Sequence, residues 1–320
     1  MMRRLLTTLS VLILIMGLDI GSFAAGAQEE GAAGKRVAVL FPGLVDDQSW
    51  NQAGFEGLTR LEDEGAEIAY TERVNQSQQV EVFRNYAQQG YDIIVGHGGE
   101  YMDAALQVAA EYPDLQFAVT NGNKGADNVT SFTLSYRDMG LLAGALAGLM
   151  TESNKLAYVA GQEIPVALDA VEGFQEGVAR VNPEAEVNVT YTGSWEDVDK
   201  AREAALALIS DGADVVWHVL DAADAGVLSA AEDEGVMAIG LYGDQSELAP
   251  NAHIGAIIAD ASELVYAAGS QALDGQVHDE GIAAGVVSIG HYSDAVPQEV
   301  QDQIAAIEED LKSAPAATPA

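Results

Sequence analysis

The sequence predicts an α/β protein built as two doubly wound lobes with a ligand cleft between them. Three observations carry this. Short apolar runs alternate with helix-like stretches, the pattern of a parallel sheet covered on both faces. The alternation completes one cycle, passes through a Gly/Ala-rich helical stretch, and starts again. A helix, a strand and a last helix are left over, enough for the chain to cross back between lobes.

The first cycle has strand candidates at "RVAVLF" (36–41), "AEIAYT" (66–71), "DIIVGH" (92–97), "QFAVTN" (116–121) and "VTSFTL" (129–134). Helical patterns at 49–64, 76–89 and 101–112 separate them, and Gly65, Gly90 and Pro113 punctuate the joins. A helix at 137–151 follows. Its core, "LLAGALAGLM", is too short and too rich in small residues to span a membrane, and reads as a buried helix packed closely through Gly144 and Gly148. The second cycle has "KLAYVAG" (155–161), "EVNVTYTG" (186–193), "DVVWHVL" (214–220), "VMAIGLYG" (236–243) and "HIGAIIAD" (253–260), with helices at 165–180, 196–211 and 222–234. A helix at 261–274, the strand "AAGVVSIG" (283–290) and a helix at 297–311 remain.

Composition narrows the function. A formal net charge of −36 argues against nucleic-acid binding, because phosphates need cations and the chain has only five Lys. The acidic residues are spread evenly, as on a solvated surface suited to high salt, where self-repulsion is screened. There is no Cys, hence no disulfide and no thiolate metal site. "MMRR", an apolar run and the small residues before Gln28 read as a secretory leader over 1–27, without a cysteine for lipid attachment. Its removal leaves a mature charge near −37. Residues 28–34 read as a tether and 312–320 as a flexible tail.

In open α/β sheets ligands bind beyond the carboxyl ends of the strands. The segments there are "PGLVDDQSWN", "GHGGEY", "TNGN", "GQEIPV", "GSWED", "WHVLDAAD" and "LYGDQ". They hold all three Trp, several Asp, His97 and His218.

These segments resemble the basic membrane protein family, nucleoside-binding substrate-binding proteins of ABC transporters. The marks are "DDQSWNQAGFEGL", "YDIIVGHGGEYMDAALQVAAEYPDLQFAVTNG", "LLAGALAGLMTESNKLAYVAG", "AVEGFQEGV", "GSWEDVDKAREAALALISDGADVV" and "IGLYGDQSELAP", in the family's order. The resemblance implies a periplasmic binding protein type 1 fold, two Rossmann-like lobes joined by three hinge crossovers. The lobes would be 35–135 plus 261–282, and 136–260 plus 283–311. It further implies a monomer peripheral to the membrane that delivers ligand to a permease driven by a separate ATPase, without cofactor or metal.

Site roles follow from matching positions. Trp50 stands where the family has a stacking Phe, and Trp217 where a second stacking aromatic is common. Asp47 and Asn51 would hydrogen-bond the base or sugar, and Asp244 the ribose hydroxyls. Ser49, His97, Gly98, Tyr101, Asn121 and Asp221, at the same strand ends, complete the expected site. The family's Lys-bearing segment is here "IGAIIADAS", and its Gly-rich stretch after the Trp217 strand is "HVLDAADAG". Purine nucleoside, free purine and riboflavin are all open as ligands.

Each residue also has a plainer reading. Trp50 could be a hydrophobic staple at a helix start. Trp217 could be core, Trp195 a packing or lid residue, and Asp47 a helix N-cap. His97 and His218 lack metal-site spacing. "GHGG" has no Lys to make it a phosphate loop. No nucleophile–base pair is visible, which argues against an enzyme. A sensor that presents ligand to a receptor is the rival to a transport component.

Overall fold

The computed structural model describes residues 31–46 and 50–313. The expected leader and most of the expected tail lie outside them. The chain forms two six-stranded sheets. The first contains β1 (Arg36–Leu40), β2 (Glu67–Thr71), β3 (Ile93–His97), β4 (Gln116–Thr120), β5 (Val129–Leu134) and β11 (Val277–Glu280), in the order β11-β5-β4-β3-β1-β2, all parallel. The second contains β6 (Lys155–Ala160), β7 (Glu186–Tyr191), β8 (Val215–Val219), β9 (Met237–Leu241), β10 (His253–Ala259) and β12 (Val287–Gly290). Its order, β12-β10-β9-β8-β6-β7, repeats the first, except that β12 runs antiparallel. The central strands are buried on both faces, as their unbroken apolar runs require.

Helices cover both faces of each sheet. In the first lobe α1 (Trp50–Asp63) and α8 (Ser262–Ser270) lie together on one face, with α2 (Gln79–Gln88) and α3 (Met102–Ala109) on the other. In the second, α4 (Tyr136–Met150), α5 (Pro165–Val181) and α9 (Gln298–Ser313) oppose α6 (Val198–Ser210) and α7 (Asp224–Glu234). The strand β11 was not expected: "VHDE" has no apolar run and is recognisable only by its pairing with β5 at the sheet edge, where polar side chains are tolerated.

The chain crosses between lobes three times, and the crossings are tied together. The Ser135 N–H donates to the Glu280 carbonyl at 3.0 Å, and the Asp260 N–H to that of Val286 at 3.0 Å. The Asp138 carboxylate accepts from the Ile282 N–H at 2.8 Å. Ser135 also caps α4, its hydroxyl accepting from the Asp138 N–H at 3.3 Å.

α4 is buried along most of its length and lies backbone-to-backbone on α5. A Cβ at Gly140 or Gly144 would come 2.0 Å from the carbonyl oxygen of Ala170 or Phe174, and one at Gly173 2.0 Å from that of Arg137. Gly148, which the sequence also singled out, faces the Val181 side chain instead. Among the described residues no helix is long and apolar enough to cross a membrane.

His218 sits on β8, fully buried, and burial pushes its imidazole below the ordinary value, outweighing the pull of nearby Asp224 and Gln245. Burial lowers His253 likewise. A lowered native value means that the unfolded chain takes up the proton first as pH falls. This contribution is therefore full above the unfolded value, about 6.5, and is lost below it. The raised carboxyls of Asp138, Asp279 and Glu280, lifted chiefly by burial, act in the opposite sense at lower pH. Comparing a variant with wild type cancels them. Melting from pH 7.5 to 5.5 should show a shallower pH dependence for His218→Gln than for wild type; identical slopes would mean that His218 titrates in the native state as it does in the unfolded chain.

Candidate functional site

Both sheets change winding direction at one place, between β1 and β3 in the first lobe and between β6 and β8 in the second. Loops leaving the carboxyl ends on either side of such a point diverge and leave a crevice. In the first lobe the loop after β1 ends at Trp50 and the loop after β3 begins at His97.

These two residues form one unit. The half-buried Trp50 ring stacks on His97 with centroids 4.3 Å apart and planes at 14°. The indole N–H reaches the His97 carbonyl at 3.4 Å. In return His97 Nε2 lies 2.9 Å from the Trp50 carbonyl and Nδ1 3.0 Å from Thr120 Oγ1. A carbonyl only accepts, so Nε2 carries the proton and Nδ1 accepts from the Thr120 hydroxyl. The ring is wholly buried, so His97 braces Trp50 rather than facing a ligand, a correction to its expected role. Gly54 makes room for it: a Cβ there would sit 2.5 Å from Nε2.

The other first-lobe candidates divide. Asn51 is buried, and its Oδ1 accepts from the Gly43 N–H at 3.2 Å, fastening the loop after β1. Asn121, in left-handed conformation at φ 50°, accepts from the Leu134 N–H at 3.3 Å and ties the ends of β4 and β5. Gly98, at φ 139°, starts the tight turn 99–101. Tyr101 is corrected to the outer core: it is fully buried, edge-on to Phe83, and donates to the Val74 carbonyl at 3.2 Å. Asp47 and Ser49 lie outside the described residues.

In the second lobe Trp217 is corrected likewise. It is fully buried and stacked on Phe174 at 5.3 Å and 16°, on the α4–α5 side of the sheet. It cannot form a cleft wall while seated there. The aromatics that do line a cavity in this lobe are Trp195, after β7, Tyr242, after β9, and Tyr136, at the start of α4. With Val166, Val219, Leu220 and Asp221 they line a cavity of about 160 Å³. The Tyr136 and Tyr242 hydroxyls meet at 3.1 Å and join the crossover to the second lobe. Tyr136 and Tyr242 were missed as site residues, although the rule that found Trp50, an aromatic just past a strand's carboxyl end, applies to both.

Asp221 is positioned by its neighbour. The Trp195 carbonyl accepts from the N–H groups of Asp221 and Ala223 at 3.2 and 3.1 Å. The Trp195 ring lies so close to Gly161 that a Cβ there would stand 2.3 Å from it. Partial burial first, then nearby Glu196 and Asp224, raises the Asp221 carboxyl above its ordinary value. Asp244 is exposed and closes its own turn, accepting from the Ser246 N–H at 2.9 Å, which with that side chain and more distant histidines lowers its value. It is not among the residues lining the cavity. Among the described residues no group of three or more His, Cys, Asp or Glu is placed to hold a metal ion.

Comparison with known proteins gives a consistent family. A family model described as "Bmp: ABC transporter substrate-binding protein PnrA-like" matches residues 34–316. The chain is 29% identical over 311 residues to the transcriptional activator protein med of Bacillus subtilis, covering 95% of each. It is 30% identical to a putative ABC transporter glucose-binding protein of Haloferax volcanii, over 92% of this chain and 76% of that one. It is 26% identical to a purine-binding protein of Brucella abortus, over 95% of this chain and 87% of that one. Among solved structures, an ABC transporter solute-binding protein from Conexibacter woesei superposes with a TM-score of 0.69 at 26% identity, over 89% of this chain and 98% of that one. With their shared two-lobed architecture and a family match over nearly the whole described chain, these similarities establish that the protein belongs to the PnrA-like family of ABC transporter substrate-binding proteins.

Proposed function

We propose that this protein is the extracytoplasmic binding component of an ABC importer, and that its inter-lobe cleft takes an aromatic heterocycle of the purine-nucleoside type for delivery to a permease. The observation that carries this is the lining of the cavity: three aromatic side chains, three aliphatic ones, one carboxylate and no Lys or Arg. Flat rings stack on such walls. The purine-binding relative supports this ligand class, and the glucose-binding relative makes a sugar the competing one. Trp50 would add its outer face from the first lobe, the inner face being taken by His97. A cavity of about 160 Å³ is smaller than the roughly 300–1,000 Å³ usual for ligand pockets. The lobes, 35–135 with 261–282 and 136–260 with 283–311, would close over a larger ligand, the second giving this cavity and the first giving Trp50.

Two further parts of the reading rest on the sequence: secretion through the leader at 1–27, and an acidic surface adapted to high salt. A ligand-presenting sensor is the second reading, supported by the relative named a transcriptional activator. With a net charge of −36, such a sensor would act through a protein rather than through DNA.

Calorimetry with purine nucleosides, free purines, riboflavin and glucose tests the ligand class. Tight binding of glucose alone would overturn it. Trp50→Ala should weaken nucleoside binding by roughly 1–3 kcal/mol and lower the melting temperature only modestly. An unfolded variant, or a folded one with undiminished affinity, would assign Trp50 to the staple role.

A further inference from the structure

Asp221 stands apart from the other carboxylates near the cleft. Asp224 is engaged by the Gln245 amide, and Asp244 by the Ser246 N–H. Among the described residues no donor reaches the Asp221 carboxylate, and the cavity it lines holds no Lys or Arg. Its place is set from behind, because the Trp195 carbonyl holds the backbone N–H of Asp221 and of Ala223. The Asp224 N–H closes the same turn onto the Asp221 carbonyl at 2.9 Å. The carboxylate is open to solvent, so a ligand entering beside it would supply donors in place of water.

We propose that Asp221 is the specificity-determining residue of the cleft, selecting a heterocycle whose ring edge presents adjacent N–H groups and rejecting one that presents a bare ring nitrogen. The inference rests on the heterocycle reading above and deepens it. An ionised carboxylate accepts and never donates. Two parallel N–H groups, such as the ring N–H and amino group of guanine, match its two oxygens in a bidentate pair. The corresponding ring nitrogen of adenine is itself an acceptor and would oppose a lone pair to the carboxylate after displacing its water. Hypoxanthine keeps the ring N–H and lacks the amino group, so it falls between them. Glu196 and Asp224 crowd the site with like charge, which favours a ligand that brings hydrogen-bond donors.

The test is calorimetry at pH 8, where the carboxylate is ionised, with guanosine, inosine and adenosine on the full mature chain. Guanosine should bind more tightly than adenosine by about tenfold or more, with inosine between them. In Asp221→Asn and Asp221→Ala the guanosine-to-adenosine ratio should collapse to within about threefold. Thermal melting shows whether each variant is folded, and the wild-type order of the three nucleosides carries the test if neither is. Equal wild-type affinities, or a ratio that survives in a folded Asp221 variant, would overturn this inference and leave the heterocycle reading standing. Failure of all three nucleosides, free purines and riboflavin to bind would overturn both.

Discussion

Replacing Gly144 by alanine should destabilise the protein by about 3 kcal/mol or more, at the upper end of overpacking effects. The added Cβ would lie 2.0 Å from the Phe174 carbonyl oxygen and 2.8 Å from its carbon. The obstacle is backbone, so no rotamer change relieves it. α4 and α5 would have to move apart, yet four glycines fix their separation together, since a Cβ at Gly177 would also come 2.1 Å from the Leu141 carbonyl. Separation also loosens the core beneath, where Phe174 stacks on Trp217. The expected fall in melting temperature is roughly 6–12 °C. Gly243 is the control: a Cβ there meets nothing within 4 Å, and Gly243→Ala should change stability by less than about 0.5 kcal/mol. Equal melting temperatures for Gly144→Ala and wild type would mean that the helices lie further apart than described.

Removing salt should lower stability by a comparable amount. The sequence carries a formal net charge of −36. At about 10 mM salt the Debye length is roughly 30 Å, so carboxylates across a whole lobe repel; near 1 M it is roughly 3 Å, and only immediate neighbours interact. A like-charged pair about 10 Å apart in water costs about 0.4 kcal/mol before screening. Many such pairs oppose folding, and the few cations present, such as Arg137 with Glu172 and Glu176, are already spoken for. Melting temperature should rise by roughly 10 °C from dilute buffer to molar salt. Nucleoside affinity should change less, because a neutral ligand held by stacking and hydrogen bonds releases few counterions. A flat melting temperature would remove the salt-adaptation reading, and affinity that collapses with added salt would point to a cationic ligand.

Much of the fold was legible because parallel strands announce themselves. "RVAVLF" and "DVVWHVL" are apolar runs too short for helices, bounded by turns, and their order implies the winding. The same uniformity hid the side-chain assignments. A strand buried on both faces has no polar–apolar alternation, so nothing in "DVVWHV" told which layer Trp217 enters; it enters the core. Tyr101 was misplaced for a related reason, since the tight turn after Gly98 carries it away from the crevice and under α2. The Tyr136–Tyr242 contact joins residues 106 positions apart and leaves no local trace. The His97–Trp50 stack likewise depends on two loops meeting, although both residues had been singled out. Asp221 was legible by position, as the first carboxylate past a strand end; its lack of a donor was not.

The central claim is that an aromatic heterocycle occupies the cleft between the lobes. Native mass spectrometry of the protein, purified from its own host without added ligand and then denatured to release what it carries, tests this most directly. The account predicts a released small molecule with the mass and ultraviolet absorbance of a purine nucleoside or related heterocycle, lost from Trp50→Ala. A released hexose or amino acid, with no ultraviolet-absorbing heterocycle, would contradict it.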